Sequence, residues 1–569
     1  MTNFITLSHK IFDLMSISFR EFCELCERVE SISSTLEITD VISEFLKRLE
    51  EEDLKIVPLL LMGSVFPEWD EKDLGIGPSS IFEAVSAVAS ISKGDLEELI
   101  RETGDVGKAV EIVLEKKPKG FLTVEDSEEL SLQEVYRTLV EISEISGNRS
   151  VDRKINKLKY LYSTLSPFEA RYLTRILLKE LRIGVGEGIM RDAISKSFGI
   201  SSEEVERAYM LVNDFSQICV ALRKGGAGEL KKLKMVVGRP VKMMLAQNAP
   251  NVEEGLKEHG VSIVERKYDG ARVQIHKDGN KCFIFSRRLE NVTNSLPDLK
   301  EAILKLPFDS VILDGEVIAL QNGKPAPFQI LLRRFRRKYD VEEMEREIPI
   351  HAYIFDILYA NGEVLIDLPL KERRKRLNEI GSNEIISVSP EILSGDAKEV
   401  EQFYKKAIEE GHEGIMLKNP ESPYTPGKRG KHWLKVKPIM ETLDLAVVGG
   451  EWGEGRRANL IGSYKLAARD EKGNLVPVGK VATGLTDEML KELTEKLKPL
   501  IISQEGKIVE FKPEVVFEVG YEEIQKSPKY PAGYALRFPR LIRVREDKNV
   551  DEIDTIERVQ ELYELQKRK

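Results

Sequence analysis

The sequence predicts three domains of different class in one chain: a helical N-terminal part, an α+β middle part, and a small β-barrel closed by a terminal helix. Three observations carry this. At 569 residues the chain is too long for a single core, and its length suits three or four domains. From about Met15 to Leu222, apolar residues recur at three- and four-residue spacing, with Gly, Pro and Ser at the breaks. After Gly238-Arg-Pro240 short Val- and Ile-rich strands alternate with helices, and from about Thr442 strands dominate.

Composition narrows the class. Hydrophobic residues make up 41% and charged residues 32%, which excludes a disordered or fibrous chain. The net charge of -10 argues against a nucleic-acid partner if taken as a sum. Local clustering argues the other way, with basic runs at Arg333 to Lys338, Lys371 to Arg376 and Lys428 to Lys437, all in the middle third. The four cysteines, Cys23, Cys26, Cys219 and Cys282, occur without a secretory signal, which fits a reducing compartment. Cys23 and Cys26 have Cys-x-x-Cys spacing, but no second ligand pair accompanies them, so they read as structural residues of an amphipathic helix. No apolar run is long enough to span a bilayer, and residues 1 to 14 read as a leader ahead of Met15.

The helical part contains two glycine-bearing turns, Asp73 to Pro78 and Arg182 to Gly188. Such turns either cap helices or let backbone amides approach a phosphate, and spacing leaves both readings open. Neither is followed by Lys-Ser or Lys-Thr, so neither is a P-loop. Lys224 to Gly228 reads as a hinge, followed by a further helix over Glu229 to Val237. In the middle part, helices are expected over Pro297 to Leu306 and Ala397 to Glu410. In the third part, strands are expected at Leu445 to Val448, Ser463 to Ala467, Val478 to Val481 and Val515 to Val519, with a charged helix from Asp551 to the end.

The stretch Glu265-Arg-Lys-Tyr-Asp-Gly-Ala-Arg272 sits between a strand at Val261 to Val264 and another at Ala271 to His276, with Asp269-Gly270 as a hairpin-type turn. It places Lys267 at a strand end on a rigid sheet. A lysine becomes nucleophilic only when burial or nearby positive charge disfavours its protonated form. Arg266 and Arg272 are close in sequence, but alternation turns Arg266 to the other face. Other segments put polar groups where a strand should end: Ser286-Arg287-Arg288, Asp314-Gly-Glu316, Phe355-Asp356, Glu413 to Lys418, and Trp433-Leu-Lys435-Val-Lys437, whose lysines share one face. Each alone reads as a strand flanked by solvated charge.

Their order resembles that of an ATP-dependent DNA ligase of the archaeal and eukaryotic replicative type, within the covalent nucleotidyltransferases. A further motif, Arg537 to Lys548, lies in the third part, and Leu165 to Arg171 and Leu181 to Gly184 extend the resemblance through the helical part. The resemblance implies an all-α DNA-binding domain over residues 1–237, a nucleotidyltransferase (adenylation) domain over 238–440, and an OB-fold domain with a C-terminal helix over 441–569. It implies that Lys267 attacks the α-phosphorus of ATP, and that the AMP passes to the 5′-phosphate of a DNA nick before the 3′-hydroxyl displaces it. By the same resemblance Glu265 contacts adenine, Phe355 stacks on it, and Arg272 and Glu316 meet the ribose side. Arg287 and Arg429 address phosphates, and Lys435 and Lys437 sit against the α-phosphate and near Lys267. Glu316 and Glu413 are the candidate magnesium ligands, with Asp314 a weaker one. The resemblance also implies that Arg540, Arg543, Arg545 and Lys548 close over ATP to orient pyrophosphate and swing away when DNA binds.

The resemblance further implies nicked duplex DNA as substrate, a role in replication, repair and recombination, a cytoplasmic monomer, and a sliding clamp as partner. Gln329 to Phe335 has part of a clamp-binding spacing but carries Arg336 where a second aromatic is common, and reads as structural with its arginines facing DNA. An RNA ligase or capping-type nucleotidyltransferase fits the helical part less well. A NAD-dependent ligase would need a four-cysteine zinc module that is missing here. A non-catalytic DNA-binding clamp of the same fold would not need every charged motif residue.

Overall fold

A computed structural model describes residues 16–116, 129–321, 323–326, 330, 331, 333, 334, 348–438, 442–453, 457 and 459–568. The chain forms two compact units, Met1–Val436 and Lys437–Lys569. The first contains both the helical and the α+β parts, and the second is the β-rich part. No helix among the described residues is long and apolar enough to cross a membrane.

Helices from Phe19–Ser31 to Phe215–Leu230 build the N-terminal part. Local sequence sets several of their starts: Ser18 with Glu21, Ser131 with Glu134 and Ser166 with Glu169 each form a reciprocal capping box. The core gathers side chains such as Phe19, Phe22, Ile42, Leu46, Leu139 and Ile176. Two arginines of the helix Pro167–Leu177 cross it: Arg171 pairs with Glu27 and Glu111, and Arg175 with Glu30 and Asp105. Cys23 and Cys26 lie buried in Phe19–Ser31, where burial pushes both thiols upward, as expected of structural residues. Both glycine turns end as helix N-caps, Gly77 for Pro78–Ala89 and Gly186 for Glu187–Phe198. At the segment read as a hinge, the backbone leaves helical geometry at Gly225 and Gly226, which kinks the helix Phe215–Leu230. The helix expected over Glu229 to Val237 does not form: helix ends at Leu230, and Met235 instead packs with Val241 and Trp433 in a core of the next domain.

The α+β part holds twelve strands among the described residues. In chain order they are β1 Leu245–Asn248, β2 Ser262–Lys267, β3 Ala271–Asp278, β4 Lys281–Ser286, β5 Ser310–Gln321 and β6 Lys324–Ala326. There follow β7 Ile350–Ala360, β8 Glu363–Val364, β9 Ile386–Val388, β10 Glu391–Ser394, β11 Gly414–Lys418 and β12 Arg429–Val436. They form two sheets. One runs β1-β12-β11-β2-β10, and the other runs β4-β3-β5-β7-β8 with β6 on β5 and β9 on β7.

The hairpin expected at Asp269-Gly270 is therefore absent. β2 and β3 belong to different sheets, and the turn carries the chain from one to the other. Glycine is required at 270 by close packing: a Cβ there would lie 2.3 Å from the Val317 carbonyl oxygen of β5. The expected helices appear as Pro297–Leu304 and Ala397–Glu409.

In the second unit, strands Leu443–Trp452, Ile461–Arg469, Leu475–Val481, Ile501–Glu505, Ile508–Phe511, Val516–Gly520 and Arg540–Val544 pair into one curved sheet around Leu445, Leu466, Val478 and Phe517. The charged helix begins at Ile556, not at Asp551, because Val550–Glu552 forms a separate 3₁₀ turn capped by Asn549.

Candidate active site

Strand register assembles the site around Lys267, the last residue of β2. Residues directly opposite one another across a sheet point to the same face, as do residues two apart on one strand. Glu265 lies opposite Met416, which lies opposite Lys435, while Lys267 lies opposite Gly414. Lys418, opposite both Ile263 and Trp433, belongs to the same face. One face of the first sheet thus presents Lys267, Glu265, Lys418, Trp433 and Lys435 together. Arg266 points away and pairs with Glu410 at 2.5 Å, as alternation requires. Lys437 lies beyond the end of β12 and belongs to the second unit, so the expectation of two lysines on one strand holds only for Lys435.

The Lys267 ammonium stands 2.5 Å from Glu413 Oε2, and the Glu413 amide donates to the Lys267 carbonyl at 2.9 Å. Glu316 on β5 lies opposite Arg272 on β3, within electrostatic reach of Lys267 and Glu413. Burial pushes its carboxyl up to about 8; Lys267 and Arg272 act against that, and Glu413 and Asp314 add to it. Among the described residues, no three His, Cys, Asp or Glu side chains converge in the manner of a metal centre. Asp314 is accounted for differently from the expectation. Arg272 donates to both its oxygens at 3.0 and 2.7 Å, and the Tyr424 hydroxyl donates to Oδ2 at 2.7 Å. The Met244 amide donates to Tyr424 Oη, and Arg272 also donates to the Met244 carbonyl, so Asp314 is the buried centre of a structural network.

The nucleobase candidates lie between the sheets. Phe355 on β7 packs edge-on to Trp433 with ring centroids 5.9 Å apart, and Arg272 lies over both rings. Glu265 is 1% exposed, with its carboxylate between Lys418 Nζ at 2.6 Å and Arg374 Nη1 at 2.9 Å. Burial pulls the Lys418 amine below its ordinary range, while Glu265 acts against this. Arg287 stands just past the end of β4, exposed, and lines a cavity of about 720 Å³ between the helical and α+β parts with Arg288, Lys242 and Lys72. Arg429 is exposed at the start of β12. In the second unit Arg543 pairs with Glu518 at 2.6 Å, Arg545 and Lys548 both reach Asp444 Oδ2 at 2.7 Å, and Arg540 is exposed.

Two basic runs read as surface features are partly interior. Arg373 is fully buried and forms a two-pronged pair with Asp356, and Arg374 is 4% exposed. A signal for this existed: Leu370, Arg373, Arg374 and Leu377 fall at i, i+3, i+4 and i+7 of one helix, so the arginines share the face of the two leucines. Arg334, expected to face DNA, is 2% exposed and pairs with Asp298 at 2.8 Å. Gln329, Leu332 and residues 335–338 of that region lie outside the described residues.

Comparison with known proteins converges on one class. Three family models match in order along the chain: "DNA ligase N terminus" over residues 18–195, "ATP dependent DNA ligase domain" over 243–437, and "ATP dependent DNA ligase C terminal region" over 457–548. A DNA ligase of Archaeoglobus fulgidus is 54% identical over 96% of this chain and 99% of its own length. A DNA ligase of Methanococcoides burtonii is 50% identical over 96% and 99%, and one of Thermococcus fumicolans 48% over 97% and 99%. The chain belongs to the ATP-dependent DNA ligases of the archaeal replicative type. A solved structure described as Pmar-Lig_Pre, 20% identical, shares the fold with a TM-score of 0.54 over 92% of this chain and 99% of its own.

Proposed function

We propose that Lys267 is the nucleophile of this ligase, taking AMP from ATP as a lysyl phosphoramidate and passing it to the 5′-phosphate of a nick in duplex DNA. The adjoining 3′-hydroxyl then displaces AMP and seals the strand. Covalent capture divides one difficult displacement into easier ones. The observation that carries this reading is the shared sheet face of Lys267, Glu265 and Lys435, with Glu413 at 2.5 Å from the amine. A rigid strand end fixes the amine. Lys435 brings positive charge to the same face, where a phosphoryl group at Lys267 gathers negative charge. Glu265 and Phe355 read the base, Arg272 and Glu316 border the ribose, and Arg287 and Arg429 hold phosphates.

Glu316 and Glu413 are the residues that would hold magnesium. The donor set fits, because the half-buried Glu316 and Glu413 bring two carboxylates within electrostatic reach of each other beside Lys267, oxygen donors of the kind a hard cation takes. Magnesium, when bound, would neutralise phosphate oxygens, with substrate and water completing its shell. Lys435 and Lys437 sit against the α-phosphate, and in the second unit Arg540, Arg543, Arg545 and Lys548 serve the ATP step and yield to DNA afterwards. The protein works as a cytoplasmic monomer in replication, repair and recombination, with a sliding clamp as partner. The test is covalent labelling with α-labelled ATP. Wild-type protein takes up label as a stable adduct, and Lys267→Ala takes up none. A Lys267→Ala protein that still labels would end the assignment.

A further inference from the structure

One arginine outside these motifs ties together the two groups proposed to contact adenine. Arg374 lies on the helix Leu370–Leu377, and its Nη1 donates to Glu265 Oε1 at 2.9 Å and to the Phe355 carbonyl oxygen at 3.3 Å. Glu265 belongs to β2 of the first sheet and Phe355 to β7 of the second, so a single guanidinium spans both sheets. Its Nη2 donates to the Ser389 carbonyl oxygen at 2.7 Å, and its Nε stands 2.6 Å from Glu391 Oε2. Both terminal nitrogens of the fork are thus hydrogen-bonded, while Nε meets Glu391 as an ion pair alone. On the other side, Lys418 holds Glu265 Oε2 at 2.6 Å and lies 4.4 Å from the Phe355 ring centroid. Glu265, Arg374 and Lys418 are buried, and Glu391, exposed at the edge of the group, brings its charges into balance.

We propose that Arg374 is a positioning residue for nucleobase selection: it fixes the spacing and orientation of the Glu265 carboxylate relative to Phe355, and so sets the preference for ATP over GTP. The inference rests on the reading of Glu265 and Phe355 as base contacts. A carboxylate can only accept hydrogen bonds. Adenine offers it an amino group, whereas guanine offers a carbonyl oxygen at the corresponding position, which a fixed carboxylate repels. Discrimination of this kind depends on the acceptor having nowhere to turn. A Glu265 free to rotate would relieve the clash with guanine and lose its alignment with adenine. Lysine at 374 keeps the charge, but its single ammonium lacks the planar fork that reaches Glu265, Phe355, Ser389 and Glu391 together.

The test measures lysine labelling with α-labelled ATP and α-labelled GTP over a range of concentrations, in full-length wild type, Arg374→Lys, Glu391→Gln and Glu265→Gln. Arg374→Lys is expected to raise half-saturating ATP by roughly tenfold and to lower the ATP-to-GTP ratio of labelling efficiency by a similar factor, while the maximal rate stays within about threefold. Glu391→Gln, at the position opposite Glu265 across β10 and β2, loosens the same guanidinium while leaving both base-contact side chains in place, and moves the ratio in the same direction by less. If Arg374→Lys and Glu391→Gln lower labelling by ATP and GTP in equal proportion, or lower the maximal rate at unchanged half-saturation, the positioning role is overturned. If Glu265→Gln leaves the ratio unchanged, it is the base contact that fails. If Glu265→Gln lowers the ratio and Arg374→Lys does not, only the brace fails.

Discussion

His276 makes stability of the adenylation domain sensitive to acid in a way that one substitution can isolate. Its side chain is fully buried; Nδ1 accepts from the Gly238 amide at 3.0 Å, and Nε2 lies 2.9 Å from Gln274 Oε1. A backbone amide only donates, so Nδ1 is the unprotonated nitrogen and Nε2–H donates to Gln274. Burial pushes the imidazole down to about 3 from 6.5. The folded state therefore holds this ring neutral while the unfolded chain protonates it, and the associated stability is present above about 6.5 and lost as pH falls toward 3. Each pH unit in that window removes about 1.4 kcal/mol, or about 2 kcal/mol by pH 5. Glutamine keeps an acceptor toward Gly238 and a donor toward Gln274, but does not titrate. His276→Gln should match wild type within about 1 kcal/mol at pH 7 and exceed it by about 2 kcal/mol at pH 5. Because a chain of two units need not unfold in one step, the comparison uses the chemical-denaturation transition that shifts in the variant. Carboxylates titrating in both proteins cancel in the difference. Equal pH slopes in the two proteins would refute the reasoning.

How legible the molecule was in its sequence depends on where each contact comes from. Helix starts were readable because a capping box is local, as at Ser166 and Glu169. Strand faces were readable too: alternation alone separates Arg266, which pairs with Glu410, from Lys267, which meets Glu413. Sheet membership was not. Asp269-Gly270 carries the local chemistry of a hairpin turn, and only long-range pairing of β3 with β5, and of β2 with β11, sends the two strands apart. Buried charge was the other gap. Arg373 and Arg374 sit in a run of five basic residues within Lys371 to Arg376, and their carboxylates come from β7 and β2, far away in sequence. Asp314 posed the converse problem: a carboxylate in an apolar strand resembles a metal ligand until Arg272 and Tyr424 are seen to take both its oxygens. The motif order located the chemistry, while the network that holds it is made of residues whose partners only the fold supplies.

Two further outcomes follow from the geometry. Lys548→Ala should slow self-adenylation much more than sealing of a pre-adenylated nick, since Lys548 is proposed to serve only the ATP step; equal losses in the two assays would refute that division. Gly270→Ala should separate the position of Lys267 from its chemistry. A methyl group at 270 would meet the Val317 carbonyl oxygen at 2.3 Å and Glu316 Cγ at 3.0 Å, contacts that a backbone carbonyl in a paired strand cannot yield to cheaply. The turn must move instead, and it lies three residues from the amine and directly against the strand that carries Glu316. Displacement of a nucleophile by about 1 Å can cost on the order of a hundredfold in rate. The expected result is therefore a loss of that order in the rate of labelling by ATP, with the melting midpoint lowered by only a few degrees. A Gly270→Ala protein that labels at the wild-type rate would mean that contact with β5 does not hold Lys267 in register with Glu316.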